Sequence, residues 1–320
     1  MNVKKKHDLF NKMREGKDVI PIKAHITPSI CLTNRDELVS VIRFDGLMYE
    51  ELSFDQLETY KNVLNNMFLN LHDPRIGVWQ CMLRRSVDVE VNKDLDSEFS
   101  RRFAAAYAQN IEGSGYINKY YLAVVYNPLP FGASLNKKKD KSLFRDSLEA
   151  GIKVLEDKVQ EVVDMLAAYS PYLLSLDKNS RHSEVARFYS DVFYFRPHDV
   201  PVTTQNLANG VFDRRVLFGN ELIEIRHYSE STYASVLSVK EYGDTTEPDM
   251  YLSLLSLPFE FNFVQSFLCI EKHKAKNMLV KQRDVLTSAG DESQSQIDGI
   301  KEGLDDLVSG RLSIGEHSLS

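Results

Sequence analysis

The residue types that carry chemistry are present in this chain, but their spacing does not assemble a catalytic set. A phosphate loop of the form G-x-x-x-x-G-K-[ST] needs glycines that curl backbone amides around the anion. The one Lys-Ser step in a loop context is Lys141-Ser142, and the glycine positions before it hold Leu135 and Asp140. Gly113-Ser114-Gly115 starts a G-x-G-x-x-G pattern that ends in Asn118, and it follows a helical stretch rather than a strand. His25, His72, His182, His198, His227, His273 and His317 are scattered, and no H-E-x-x-H or G-x-S-x-G occurs. Asp305 and Asp306 are adjacent on a helical pattern, so their side chains diverge. Cys31, Cys81 and Cys269 are odd in number and far apart, which suggests buried small apolar residues rather than a zinc site or disulfide framework.

What remains is charge. The N-terminal segment carries Lys4, Lys5, Lys6, Lys12 and Arg14, and a second basic stretch carries Lys137, Lys138, Lys139 and Lys141. Both read either as solvated segments or as docking points for an anionic membrane face or an acidic partner. The whole chain has a net charge of −7 over 320 residues, so bulk charge does not make it a nucleic-acid binder. With 43% hydrophobic and 27% charged residues, it has the composition of a folded globular protein. Its longest apolar runs, such as YLAVVY at 121–126, fall short of the ~18–20 residues of a spanning helix. The N-terminus has no apolar core typical of a signal peptide.

The elements that must position these residues follow from periodicity. Residues 30–32 and 38–44 read as strands around the turn Asn34-Arg35-Asp36. Ser53 and Gln56 form a capping box ahead of Leu57, Tyr60, Leu64, Phe68 and Leu71 at helical spacing, and Asp73-Pro74 ends that helix. Residues 75–85 read as a strand buried on both faces. A helix with Phe99, Phe103 and Tyr107 on one face is closed by Gly113-Ser114-Gly115, and 118–127 is the next strand. A long helix over 143–169 follows a polar linker, with Leu148, Ile152, Leu155, Val159, Val162 and Leu166 as its stripe. The spacing then predicts a helix over 183–195 and a hairpin over 214–228 turning on Gly219-Asn220. A strand over 233–242, a helix near 248–256 and an aromatic-rich strand over 259–272 come next. The last helical stretch, 272–308, places Leu279, Leu286, Ile300 and Leu307 on one heptad line and is interrupted by a polar kink or turn. The final residues, SGRLSIGEHSLS, read as the start of a strand that no return strand answers, expected to be either the missing partner of the second lobe's sheet or a bridge onward.

This order predicts an α+β fold. It has two β-hairpin- or βαβ-containing lobes with largely antiparallel or mixed sheets, joined and flanked by long helices, and no RecA-like motor. The expected organisation is a basic tail over 1–20, a first lobe over 21–135, linker and long helices over 136–210, and a second lobe over 211–320.

The stretches HITPSICLTNRDELVSVIRFDG (25–46), DPRIGVWQCMLRRSV (73–87), YINKYYLAVVYNP (116–128), HSEVARFYSDV (182–192), VLFGNELIEIRHY (216–228) and the run from 236 to 320 resemble, in order and spacing, the opening of the type IV secretion ATPases of the CagE/TrbE/VirB family. The resemblance implies a region that precedes an ATP- and magnesium-dependent motor, so that neither cofactor nor catalytic residue is expected within 1–320. It implies work at the cytoplasmic face of the bacterial inner membrane, energising pilus assembly and translocation of DNA or protein. The implied partners are inner-membrane secretion subunits, including a small membrane subunit fused to this end in some relatives, and further copies of the chain. Two readings stand beside it: a naturally motor-less paralogue that regulates the intact ATPase, and a stand-alone enzyme with an unfamiliar site.

Overall fold

A computed structural model describes residues 19–47, 51–92, 95–111, 113–129, 141–239, 250–288 and 294–320. The chain opens with β1 (Ile22–His25), β2 (Cys31–Thr33) and β3 (Leu38–Phe44), an antiparallel meander. The turn into β3 carries Asp36 at φ 64°, a left-handed conformation that Asn and Asp tolerate better than branched residues. Thr33 Oγ1 holds the turn by accepting from the backbone N–H of Arg35 and Glu37 at 3.2 and 3.0 Å. β1 has no counterpart among the strands read from the sequence.

Helix α1 (Phe54–Asn70) starts at the expected capping box: Ser53 accepts from the Gln56 backbone and the Gln56 side chain accepts from the Ser53 backbone. Next come the strands β4 (Ile76–Val89) and β5 (Gly113–Tyr126), 14 residues each, paired from Ile76↔Tyr126 to Val89↔Gly113. Gly113-Ser114-Gly115 therefore opens a strand rather than merely closing a helix, because its backbone is taken into the ladder with β4. Nor is β4 buried on both faces throughout, since Trp79 is 45% exposed. Helix α2 (Glu98–Ile111) joins the two strands.

The long helix α3 (Lys141–Met165) ends in a 3-10 turn at Ala167–Tyr169, and β6 (Tyr172–Leu173) pairs with β3. Helices α4 (Glu184–Tyr194) and α5 (Leu207–Val211) precede a small antiparallel sheet of β7 (Arg215–Phe218), β8 (Ile223–Arg226) and β9 (Ser231–Ala234). Its first hairpin does not turn on two residues as expected. Phe218 pairs with Ile223, and the Gly219 N–H donates to the Leu222 carbonyl at 2.9 Å across a four-residue loop. Gly219 is needed there, because a Cβ would stand 2.8 Å from that carbonyl oxygen. A short 3-10 helix occupies Leu252–Ser256 where a longer helix was expected; Pro248, expected in its first turn, lies outside the described residues.

Strand β10 (Phe261–Cys269), the helices α6 (Lys272–Ser288) and α7 (Gln294–Ser309), and β11 (Gly315–Leu319) complete the chain. β10 pairs with β4, and β11 pairs with β10. The large sheet runs β1-β2-β3-β5-β4-β10-β11 with β6 beside β3, and its pairings are antiparallel. The α+β class with antiparallel sheets is as the sequence predicts. Of the two readings of the final strand, the structure shows completion of the sheet. The intervening helices return the chain beside β10, where Ser320 and Val264 exchange backbone hydrogen bonds of 2.7 and 2.9 Å.

Alternating side chains of this sheet feed two cores. On one face, α1 and α3 cover Leu38, Ile42, Ile76, Val78, Leu122 and Val124 with Met67, Leu155, Val159 and Val162. On the other, α4, α5 and the small sheet cover Val39, Val41, Cys81, Leu83 and Tyr121 with Val185, Phe188, Leu207 and Ile225. Each fully buried Leu, Ile or Val contributes roughly 1.5–3 kcal/mol. Gly151 allows α3 its close approach, since a Cβ there would lie 3.0 Å from Pro128 and 3.1 Å from Tyr126.

Candidate docking surfaces

Of the basic residues singled out in the sequence, Lys4, Lys5, Lys6, Lys12, Arg14, Lys137, Lys138 and Lys139 lie outside the described residues, and Lys141 opens α3. The described surface offers other features, and they begin from a buried charge cluster that periodicity could not show. Asp191 of α4 and Arg85 of β4 are both buried, and Arg85 Nε donates to Asp191 Oδ1 at 2.6 Å. Arg85 Nη2 also donates to the Asp191 carbonyl at 2.8 Å and to Asn262 Oδ1 at 2.7 Å, while Lys119 of β5 donates to Asp191 Oδ2 at 3.1 Å. Asn262 of β10 returns a bond to the Val192 carbonyl at 2.7 Å. The Arg85 guanidinium stacks over Phe195, which ends α4 in a left-handed conformation. The Asp191 carboxylate thus ties α4 to β4 and β5, and Asn262 joins β10 to the same cluster.

This cluster sits where the sheet narrows. β10 accompanies β4 only as far as Arg84, and β3 accompanies β5 only to Tyr120. Beyond those residues β4 and β5 continue alone as a two-stranded ribbon that leads into α2. Ala104 and Ala108 of α2 are buried, whereas Phe99, Phe103 and Tyr107 are 78, 63 and 51% exposed. Their rings stack in series with centroids 6.4 and 6.2 Å apart. The three share the helix face predicted from their spacing, but that face is turned outward.

The second outward feature is the helical hairpin α6–α7, whose helices pack on each other. Leu307 is buried, and Leu279, Leu286 and Ile300 are half-buried, which makes the heptad line an inner seam. Outside it, Lys274, Met278, Lys281 and Val285 form an exposed stripe on α6, and Asp298, Glu302 and Asp305 form one on α7. A cavity of about 290 Å³ lies between α1, the β4–β10 face and β11, floored by Phe68, Val78 and Phe267 with Gln80, Gln265 and His317 at its polar side.

Burial pushes the Cys31 and Cys81 thiols up to about 12, so neither is a thiolate near neutral pH. His25 is held below its ordinary value by burial, and its Nε2 faces the Ser183 hydroxyl at 2.7 Å. Ser183 in turn caps α4 by accepting from the Ala186 N–H at 3.0 Å. Among the described residues no group of three or more His, Cys, Asp or Glu is placed to hold a metal ion, and no helix is long and apolar enough to cross a membrane.

Comparison with known proteins gives two family matches. Residues 29–133 match the N-terminal domain of the type IV secretion system ATPase VirB4/TrbE, and residues 175–320 match the CagE, TrbE, VirB family, a component of the type IV transporter system. A Bartonella henselae type IV secretion system protein virB4 is 30% identical over 95% of this chain and 40% of its own length. Protein virB4 of Agrobacterium tumefaciens is 26% identical over 96% of this chain and 40% of its own, and the Bordetella pertussis protein PtlC is 25% identical over 94% and 38%. The chain therefore spans about 40% of the length of these relatives. Strands β3, β4 and β5 from the first matched region and β10 and β11 from the second share one sheet, so the two matches describe one folded unit. The chain belongs to the CagE/TrbE/VirB family of type IV secretion components and corresponds to the N-terminal region of its VirB4-type ATPases.

Proposed function

We propose that this region is a non-catalytic docking and assembly unit of a type IV secretion ATPase. It works at the cytoplasmic face of the bacterial inner membrane, and hydrolysis of magnesium-bound ATP belongs to a motor outside residues 1–320. Its partners are inner-membrane subunits of the secretion system, including the small membrane subunit that some relatives carry fused, and other copies of the ATPase. The observation that carries this reading is the outward aromatic stripe of α2, held on the β4–β5 ribbon within a family of secretion components. Large exposed apolar patches mark interaction sites in soluble proteins.

The test is site-specific photo-crosslinking from position 103 in cells that assemble the secretion system, paired with calorimetric ATP titration of the purified chain. Crosslinks to inner-membrane subunits and no magnesium-dependent ATP binding are expected. Specific ATP binding, or a position 103 that captures no secretion subunit, overturns the reading.

A further inference from the structure

We propose that the cavity beside α1 is a binding site for a small, uncharged aromatic compound that carries a carbonyl acceptor. Gln80 of β4 lies opposite Gln265 of β10, Val78 lies opposite Phe267, and Phe267 lies opposite His317 of β11, so these residues share the sheet face that α1 covers. The cover is incomplete. α1 packs Met67 into the core, whereas Phe68 remains 37% exposed, and the space between Phe68 and the sheet is the cavity of about 290 Å³. Small-molecule sites begin at roughly this size, about 300 Å³.

The lining sets the chemistry of the ligand. Its rings come from two elements, Phe68 from α1 and Phe267 from β10, so a flat ring held there meets an aromatic surface on each. Gln265 Nε2 donates to Gln80 Oε1 at 3.1 Å, and Gln265 Oε1 faces His317 Nε2 at 3.4 Å. The relay ends at Gln80 Nε2, which has no hydrogen-bond partner among the described residues. A carbonyl oxygen on the ligand supplies the acceptor that this donor lacks.

A charged ligand does not fit. Among the described residues no carboxylate lines the cavity, and the Arg311 guanidinium on its lining is already held by Asp306 at 2.6 Å. An ion placed there is desolvated without a partner. The site is separate from the α2 stripe, and its occupant bridges α1, β4, β10 and β11.

The experiment titrates the isotope-labelled whole chain with benzamide, benzoate, benzylamine and toluene at about pH 8, above the ordinary histidine range. The side-chain amide resonances of Gln80 and Gln265 report binding. Benzamide should shift both, with a Kd on the order of 1 mM for a fragment of its size. Benzoate and benzylamine should bind on the order of 10-fold more weakly. Gln80→Leu should weaken benzamide about 5-fold and leave toluene unchanged, since only benzamide uses the amide. Asn65→Trp, at an exposed position on the lining, should abolish binding of both, and circular dichroism confirms that the variants remain folded. No shift at about 10 mM benzamide, equal binding of the charged compounds, a Gln80→Leu chain with unchanged affinity, or a folded Asn65→Trp chain that binds normally overturns the inference. So does tighter binding of N-acetylphenylalaninamide than of benzamide, which would assign the cavity to a side chain of a protein partner.

Discussion

At the scale of single residues, the buried Arg85–Asp191 pair is costly to break and cheap to replace whole. Removing the Asp191 carboxylate leaves Arg85 buried and uncompensated, so Asp191→Ala should cost about 3–5 kcal/mol in urea denaturation. Replacing the pair together by Arg85→Met and Asp191→Leu should recover much of that loss, because the uncompensated charge disappears with it. His25 predicts a pH dependence. Burial lowers its pKa from the ordinary 6.5, so below that value the unfolded chain binds more protons than the folded one. Its contribution is present above pH 6.5 and is lost as pH falls from 6.5 to the depressed folded value. Protonation would also make Nε2 a donor, and the Ser183 hydroxyl would lose its acceptor. Stability measured between pH 5 and 7.5 should fall toward acid, and His25→Gln should flatten that slope; an unchanged slope counts against the assignment.

At the scale of elements, β11 and α2 make contrasting predictions. Ser320 and Val264 exchange backbone bonds, and Ile270 donates to the Ile314 carbonyl, so the antiparallel alternation turns the amides of Glu316 and Ser318 toward β10. Hydrogen exchange should therefore protect the amides of Glu316, Ser318 and Ser320. Uniformly fast exchange would show the strand to be unpaired. On α2, Phe103 supports no core, so Phe103→Ser should change folding stability by less than about 0.5 kcal/mol while abolishing capture of the partner. A large loss of stability would mean that the aromatic stripe packs on this chain rather than on another.

At the scale of the whole molecule, the sheet binds the chain together. β10 lies against β4, and Arg85 reaches both Asp191 and Asn262. Residues 1–320 should unfold in one transition, with the fluorescence of the lone Trp79 and the far-ultraviolet dichroism coinciding. Residues 21–135 expressed alone would leave β4 as a long open edge and should aggregate. Two separated transitions, or a soluble and monomeric 21–135 fragment, would show that the halves are energetically independent.

Much of this was legible in the residues. Ser53 and Gln56 fixed the start of α1, the heptad line of 279, 286, 300 and 307 marked the seam of α6 and α7, and an ordered series of short stretches pointed to the family. These signals are local: caps, periods and turns act within a few residues of chain. What the sequence could not decide is which strand lies beside which. Pairing β10 with β4 joins residues about 180 positions apart, and nothing in either strand's alternation names its neighbour. The same limit hid the union of Arg85, Lys119, Asp191 and Asn262, which four separate elements bring together. It also hid the direction of the α2 stripe, since periodicity shows that Phe99, Phe103 and Tyr107 share a face, and only tertiary packing decides whether that face is buried or offered to a partner.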